Sequence, residues 1–238
     1  MSKAITEVIK DMKNLTDLKL ISSHDEAGNV RTFIFDSGGL TWVAGQNQAF
    51  VLPQAGKTKE ENQRWFTIAS APSEGTVNIS TRISESTFKK ALNAMKTGDV
   101  IQVHSLGGDF IWENKESDDV VLVAGGIGVT PFRSILLERK ATSKPLNATF
   151  LYFNRTTDIP FKKELEKLKQ ECPEFILESL VGEHITAQKI LELAPQSKKQ
   201  IVYLSGPEPM VESIGADLRQ RGVRIKQDWF PGYDESNY

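Results

Sequence analysis

Residues 120–131, with the sequence VVLVAGGIGVTP, constrain the fold of this chain more than any other segment. The apolar run at 120–123 is typical of a strand that is buried on both faces of a parallel sheet. Three glycines that permit a tight turn follow this run: Gly125, Gly126 and Gly128. We expect Thr130 to cap a helix that begins at Pro131. A strand, a glycine turn and a helix N-terminus together predict a pyrophosphate site. The glycine spacing is not a complete G-x-G-x-x-G, so tight packing is the alternative role of the turn.

The chain after residue 120 alternates between strand-like and helix-like segments. The predicted strands cover residues 120–123, 148–153, 175–180, 201–205 and 223–227. The predicted helices cover residues 131–140, 161–169, 186–193 and 208–221. This alternation predicts an α/β domain with a doubly wound parallel sheet.

The chain before residue 113 has a different sequence pattern, in which turns separate short strand-like segments. The predicted strands cover residues 18–22, 30–35, 49–52, 65–69, 76–83 and 100–104. Many short strands with one inserted helix, at 86–96, predict an antiparallel β-barrel. The polar stretch 114–119 separates the two patterns, so we expect an N-terminal barrel domain at 1–115 and a C-terminal α/β domain at 116–238.

Composition and charge exclude several classes of function. The net charge of −2 over 238 residues argues against nucleic acid as a partner, because nucleic-acid binding usually needs a strongly basic face. No apolar run approaches the length of a membrane span, and residues 1–20 lack the apolar core of a signal peptide. The single cysteine, Cys172, cannot form a disulfide within the chain or supply an iron–sulfur cluster or a structural zinc site. We expect a cytoplasmic protein without a bound metal.

Residues 64–70, RWFTIAS, lie on a predicted barrel strand and resemble the flavin motif of the ferredoxin–NADP reductase superfamily. That family has an Arg-x-aromatic-Ser/Thr-x-x-Ser strand in its flavin domain, and its nicotinamide domain opens with a GGxGxTP-like turn. Further matches follow in the family's order, at residues 44–46, 98–100, 106–110, 205–210 and 229–233. The resemblance covers roughly residues 16–233. It implies an FAD-binding barrel and an NAD(P)-binding domain without a fused ferredoxin domain.

The resemblance assigns flavin contacts to residues of the barrel domain. These residues are Arg64, Phe66, Thr67, Ser70, Ser84, Ser86 and Thr87. Arg64 would bind the flavin phosphate as a charged, bidentate donor, and Phe66, where the family often has Tyr, would lie against the isoalloxazine or the ribityl chain. Thr67 would exchange a hydrogen bond with flavin N5, which makes it a candidate catalytic residue. The helix that follows Ser86 would face the pyrophosphate; ordinary N-capping by Ser86 is the alternative.

The resemblance assigns nicotinamide contacts to the second domain. These residues are Gly125, Gly126, Gly128, Thr130, Arg155, Gly206 and Pro207. Ser205 stands where the family commonly has a catalytic cysteine beside the nicotinamide. The choice of nucleotide stays open, because Arg155 favours a 2′-phosphate and Asp158 favours a free ribose hydroxyl. Tyr233 is a candidate aromatic gate over the flavin.

The residues and the resemblance together predict an FAD-dependent NAD(P)H oxidoreductase. In this interpretation a nicotinamide passes hydride to flavin N5, and single electrons then reach a separate acceptor such as a ferredoxin, a flavodoxin or an oxygenase component. Three alternatives remain: an electron-transfer subunit of a larger oxygenase or dehydrogenase complex, a free-flavin reductase, and a nucleotide-binding regulatory module without turnover.

Overall fold

The computed structural model describes residues 15–113, 120–195 and 201–230, which form an antiparallel sheet followed by a parallel one. The predicted domain boundary at 115/116 lies outside the described residues, between the last strand of the first sheet and the first strand of the second. The two-domain prediction is confirmed: an antiparallel β domain precedes an α/β domain.

The first domain is a six-stranded antiparallel sheet. Its strands are β1 (Thr16–Ala27), β2 (Val30–Asp36), β3 (Asn47–Val51), β4 (Gln63–Thr67), β5 (Thr76–Arg82) and β6 (Val100–Gly107). They are ordered β4-β3-β6-β1-β2-β5. A backbone hydrogen bond of 2.9 Å from Ala69 N to Asn78 O joins the chain after β4 to β5. The two edges of the sheet therefore meet, which agrees with the predicted barrel.

Two α-helices lie within the described part of this domain, α1 (Lys59–Asn62) and α2 (Thr87–Ala94). Helix α2 matches the predicted inserted helix, and its apolar residues Phe88 and Leu92 are fully buried in the core of the barrel. Helix α1 was not predicted. Thr58 and Glu61 form a capping box at its start, which stabilises a helix of only four residues.

The second domain is a five-stranded parallel sheet with helices on both faces. Its strands are β7 (Val120–Gly125), β8 (Ala148–Asn154), β9 (Phe175–Val181), β10 (Ile201–Pro207) and β11 (Arg224–Phe230). They are ordered β11-β10-β7-β8-β9. Its helices are α3 (Val129–Ala141), α4 (Lys162–Glu171), α5 (Ala187–Leu193) and α6 (Glu208–Gln220). This topology is the doubly wound arrangement predicted from the alternating sequence.

Strand β7 lies at the centre of this sheet, and every one of its residues is buried. Val120, Leu122 and Ala124 pack into the hydrophobic cluster on one face of the sheet, together with α3. Val121 and Val123 pack into the cluster on the other face. The continuous apolar run thus reflects burial on both faces, as expected.

The start of helix α3 differs from the prediction. The helix begins at Val129 and not at Pro131, because a 3-10 turn over Gly126–Gly128 leads directly into it. Thr130 therefore lies inside the first turn, where its hydroxyl donates to Ile127 O at 3.2 Å. Its predicted role as the N-cap is wrong, since no extended capping residue separates the turn from the helix.

Candidate functional site

A cleft of about 300 Å³ crosses the carboxyl edge of the parallel sheet. The second domain lines it with residues 125–127 after β7, 153–155 at the end of β8, 183–185 after β9 and Pro207 at the end of β10. The first domain contributes Arg82, the last residue of β5. Ligands of doubly wound sheets bind at this edge, where the glycine turn presents a helix N-terminus.

Arg82 lies over the glycine turn. Gly126 has a φ of +54°, and a Cβ built there would lie 3.1 Å from Arg82 Nη2. Arg82 Nη1 donates to Asn29 Oδ1 at 3.0 Å, so the guanidinium is tied to the β1–β2 hairpin of the first domain. A side chain at position 126 would press on this guanidinium. The sequence analysis missed Arg82, because only the packing of the two domains brings the end of β5 to the turn.

The other glycines of this region serve close packing. A Cβ at Gly128 would lie 2.4 Å from Ser205 O, and one at Gly125 would lie 2.6 Å from Met210 Sδ. A Cβ at Gly206 would lie 2.7 Å from Met210 Cε. Tight packing, the alternative role expected for the glycine turn, thus accounts for Gly128. Gly125 and Gly126 also line the cleft.

Three polar side chains from the two domains meet near the carboxyl ends of β4, β10 and β11. Ser205 in β10 and Asp228 in β11 are register partners of neighbouring parallel strands, and the hydroxyl of Thr67, at the end of β4, lies beside the Asp228 carboxyl. Thr67 Oγ1, Ser205 Oγ and Asp228 Oδ2 are shielded from solvent, and no well-aligned hydrogen bond among the described residues satisfies them, although the Thr67 hydroxyl interacts with the Asp228 carboxyl. Buried polar atoms without good partners are costly, so these three atoms are available to hydrogen-bond a bound group.

Asp228 is a residue that the sequence analysis missed. Burial raises the pKa of its carboxyl from 3.8 to about 7; the neighbouring Thr67 hydroxyl acts against this rise, and the negative charge of Asp109 adds to it. A carboxyl group with a pKa near neutrality can hold or release a proton under physiological conditions. The sequence motif covers only the neighbouring residues 229–233, and nothing in the local sequence shows that the Asp228 carboxyl lies beside Thr67.

The aromatic and hydroxyl residues of the flavin motif have defined contacts. The Phe66 ring lies 5.9 Å from the Phe50 ring and 5.7 Å from the Phe88 ring, and it is half-buried. Ser70 Oγ donates to Thr76 O at 2.5 Å and accepts from Asn78 N at 3.0 Å. Ser70 therefore stabilises the strand connection, while its predicted contact with a cofactor stays a prediction.

The predicted phosphate-binding residues converge around helix α1. Arg64 Nη1 donates to the carbonyl oxygens of Glu60 and Gln63. Thr87 Oγ1 donates to Glu61 O at 3.4 Å, which places the N-terminus of α2 against the same helix.

Ser86 caps helix α2, as the alternative interpretation expects: its hydroxyl accepts a hydrogen bond from Lys89 N at 3.3 Å. Glu85 pairs with Lys90 at 2.6 Å, and Ser84 is exposed. The N-terminus of α2 thus has an ordinary N-cap, and its predicted contact with a pyrophosphate stays a prediction.

The two residues proposed to read the adenosine ribose lie in different places. Arg155 lines the cleft, whereas Asp158 packs against the β1–β2 hairpin, where a Cβ at Gly28 would lie 3.3 Å from Asp158 Cβ.

The buried amide nitrogen of Asn154 has no hydrogen-bond partner among the described residues. Tyr233 lies outside the described residues. No group of three His, Cys, Asp or Glu side chains within 15–113, 120–195 and 201–230 is arranged to hold a metal.

Comparison with known proteins identifies the second domain. Residues 122–215 match the oxidoreductase NAD-binding domain family. A flavohemoprotein of Candida albicans is 25% identical over 194 residues, covering 73% of this chain and 48% of the relative. The glycine betaine monooxygenase reductase subunit of Chromohalobacter salexigens is 26% identical over 224 residues, covering 87% of this chain and 61% of the relative. The chain thus spans about half the length of the curated relatives it matches.

Solved structures show the same fold across both domains. The flavohem-like FAD/NAD-binding domain of a Vibrio cholerae nitric oxide dioxygenase has a TM-score of 0.76 at 21% identity, covering 90% of this chain and 98% of that one. A mutant ferredoxin–NADP⁺ reductase of Plasmodium falciparum has a TM-score of 0.76 at 14% identity, covering 92% of this chain and 97% of that one. Residues 122–215 are thus similar to the oxidoreductase NAD-binding domain family, and the described part of the chain has the same two-domain fold as these solved structures.

Proposed function

We propose that this chain is an FAD-dependent NAD(P)H oxidoreductase that passes electrons to a separate acceptor. The observation that carries the proposal is the cluster of Thr67, Ser205 and Asp228, whose poorly satisfied polar atoms lie where the strand with the RWFTIAS motif meets the parallel sheet. The family match of residues 122–215 to an oxidoreductase domain supports the reaction class.

The described residues fit both cofactors. The cleft runs along the carboxyl edge; its glycine turn and Arg82 suit a pyrophosphate, and Arg155 is also among its lining residues. Phe66 offers an aromatic surface, and the Thr67 hydroxyl, which no well-aligned hydrogen bond satisfies, offers a hydrogen bond to a ring nitrogen. The similar Vibrio cholerae domain, described as an FAD/NAD-binding domain, supports the pair of cofactors.

The residues of the cluster have separate proposed roles. FAD and a nicotinamide supply the hydride-transfer chemistry when they are bound. Below a pH of about 7, Asp228 retains a proton that it can share with Thr67, whose hydroxyl can both donate and accept. Thr67 and Asp228 therefore hold or move a proton at the end of β4. Ser205 is small, so it leaves a planar ring access to this point.

The proposed acceptor is a separate protein such as a ferredoxin, a flavodoxin or an oxygenase component. The similarity to a monooxygenase reductase subunit supports an oxygenase component, and with it the role of a subunit in a larger complex. No helix in the described part of the chain has the length and apolar character to cross a membrane. We propose that the protein acts in the cytoplasm.

The test is to purify the protein, release any bound flavin and separate FAD from FMN by chromatography. NAD(P)H-dependent reduction of ferricyanide, an artificial one-electron acceptor, then measures turnover. The proposal expects one FAD per chain and turnover with one or both nicotinamides. A folded protein that neither carries nor takes up FAD would contradict it.

A further inference from the structure

We propose that Arg133 is a positioning residue that holds the flavin strand and the nicotinamide domain in the geometry required for hydride transfer. This inference rests on the proposed function. Arg133 lies in helix α3, and its side chain is only 8% exposed. Two carboxylates, Glu74 of the first domain and Glu164 of the second, lie on either side of its guanidinium.

All five N–H groups of the Arg133 guanidinium are used. Nη1 donates to Glu74 Oε2 at 2.9 Å and Nη2 to Glu74 Oε1 at 3.0 Å. Nε donates to Glu164 Oε2 at 2.7 Å and Nη2 to Glu164 Oε1 at 2.9 Å. The fifth bond, from Nη1 to Ala69 O, is 2.8 Å long. Two planar, bidentate pairs and one carbonyl bond define the orientation of the side chain in three directions.

The bond to Ala69 connects this cluster to the proposed reaction site. Ala69 is two residues after Thr67, and the neighbouring Ser70 carbonyl accepts a 2.7 Å bond from Ser134 Oγ, also in α3. Helix α3 begins directly after the Gly126–Gly128 turn. Helix α3 thus supports the cleft-lining turn at its N-terminus and, one helical turn later, binds the segment that directly follows the Thr67 strand.

Stability alone does not require this arrangement. A buried ion pair can be replaced by packed apolar side chains with little loss of stability, so a buried arginine with two carboxylates is weak evidence for a stabilising role. Other contacts also join the domains: Ser73 N donates to Glu138 Oε2 at 2.8 Å, and Phe161 N donates to Glu26 Oε1 at 2.9 Å. Arg133 adds a defined orientation between the domains, because the planar set of N–H donors on its guanidinium specifies how the Thr67 strand lies against α3.

The test compares Arg133→Lys with wild type and with Arg221→Lys in the FAD-loaded protein. Arg221 follows the last residue of α6 and pairs with Asp217 at 2.7 Å on the protein surface; α6 packs on the opposite face of the parallel sheet from α3, so Arg221→Lys controls for the chemical change alone. Lysine keeps the charge but cannot form two planar bidentate pairs. Anaerobic stopped-flow reduction by NADH and NADPH separates the limiting rate of flavin reduction from the dissociation constant of the nucleotide.

Arg133→Lys is expected to lower the limiting rate about 10- to 100-fold, as a displacement near 1 Å would, with FAD content and nucleotide affinity within about twofold of wild type. Arg221→Lys should match wild type, and dithionite should reduce all three proteins equally. If Arg133→Lys does not fold, Glu74→Gln and Glu164→Gln supply the same comparison. An unchanged limiting rate in the folded variants overturns the positioning role alone. A wild-type flavin that neither nucleotide reduces overturns the proposed function together with it.

Discussion

Asp228→Asn should raise the free energy of unfolding, and the gain should depend on pH. Burial raises the pKa of this carboxyl from 3.8 to about 7 in the folded protein. Between these two values the unfolded chain ionises the group while the folded protein keeps it protonated, so wild-type stability falls as the pH rises. At about 1.4 kcal/mol for each pH unit, the loss reaches an upper value of about 4 kcal/mol above pH 7. Asparagine at position 228 cannot ionise, so the variant does not lose this free energy of unfolding as the pH rises.

Urea unfolding of the wild type and the variant, at pH values from about 5 to about 8.5, measures this effect. The stability difference between the two proteins should grow with pH up to about 7 and stay constant above it. Asp217→Asn, which changes an exposed carboxylate, is the matched control and should not reproduce the rise. A difference for Asp228→Asn that is independent of pH would refute the reasoning, because it would show that the carboxyl is not held protonated by burial.

Three further predictions concern binding and kinetics. Arg64→Ala should weaken FAD binding about 10- to 150-fold, since a charged hydrogen bond to phosphate contributes roughly 1.5–3 kcal/mol; equilibrium titration of the apoprotein with FAD measures this. Gly126→Val should leave FAD bound but slow reduction by NAD(P)H at low nucleotide concentration, because the valine side chain would press on Arg82. Gly222→Val is the control for backbone strain, since Gly222 also has a positive φ but a Cβ there would meet no neighbouring atom. Tyr233→Ser should change nicotinamide affinity and the rate of flavin reduction without loss of FAD, and unchanged stopped-flow kinetics would exclude the gate.

The positions of most strands and helices follow from local pattern. The apolar run that became β7 was predictable because burial on both faces leaves a continuous signal. The inserted helix α2 was predictable because Ser86 caps it and its apolar residues share one face. The start of α3 was not predictable, because a 3-10 turn that continues directly into an α-helix leaves no clear boundary in the sequence.

The composition of the site was only partly predictable. Thr67 and Ser205 were predictable as candidates from motifs, since Thr67 ends β4 and Ser205 lies near the end of β10, each within a recognisable pattern. Asp228, Arg82 and Arg133 could not, because their roles arise from tertiary contacts: strand register for Asp228, and packing between the domains for the two arginines. Residues that bridge domains carry no local signature, whereas turn glycines and caps do.

The most direct test of the central claim is anaerobic titration of the FAD-loaded protein with NADH and, separately, with NADPH, followed by flavin absorbance. The claim is that the cluster of Thr67, Ser205 and Asp228 is the place where nicotinamide and flavin meet. It predicts stoichiometric bleaching of the flavin by at least one nucleotide. A protein that binds FAD, is bleached by dithionite and is left oxidised by both nucleotides would contradict the claim.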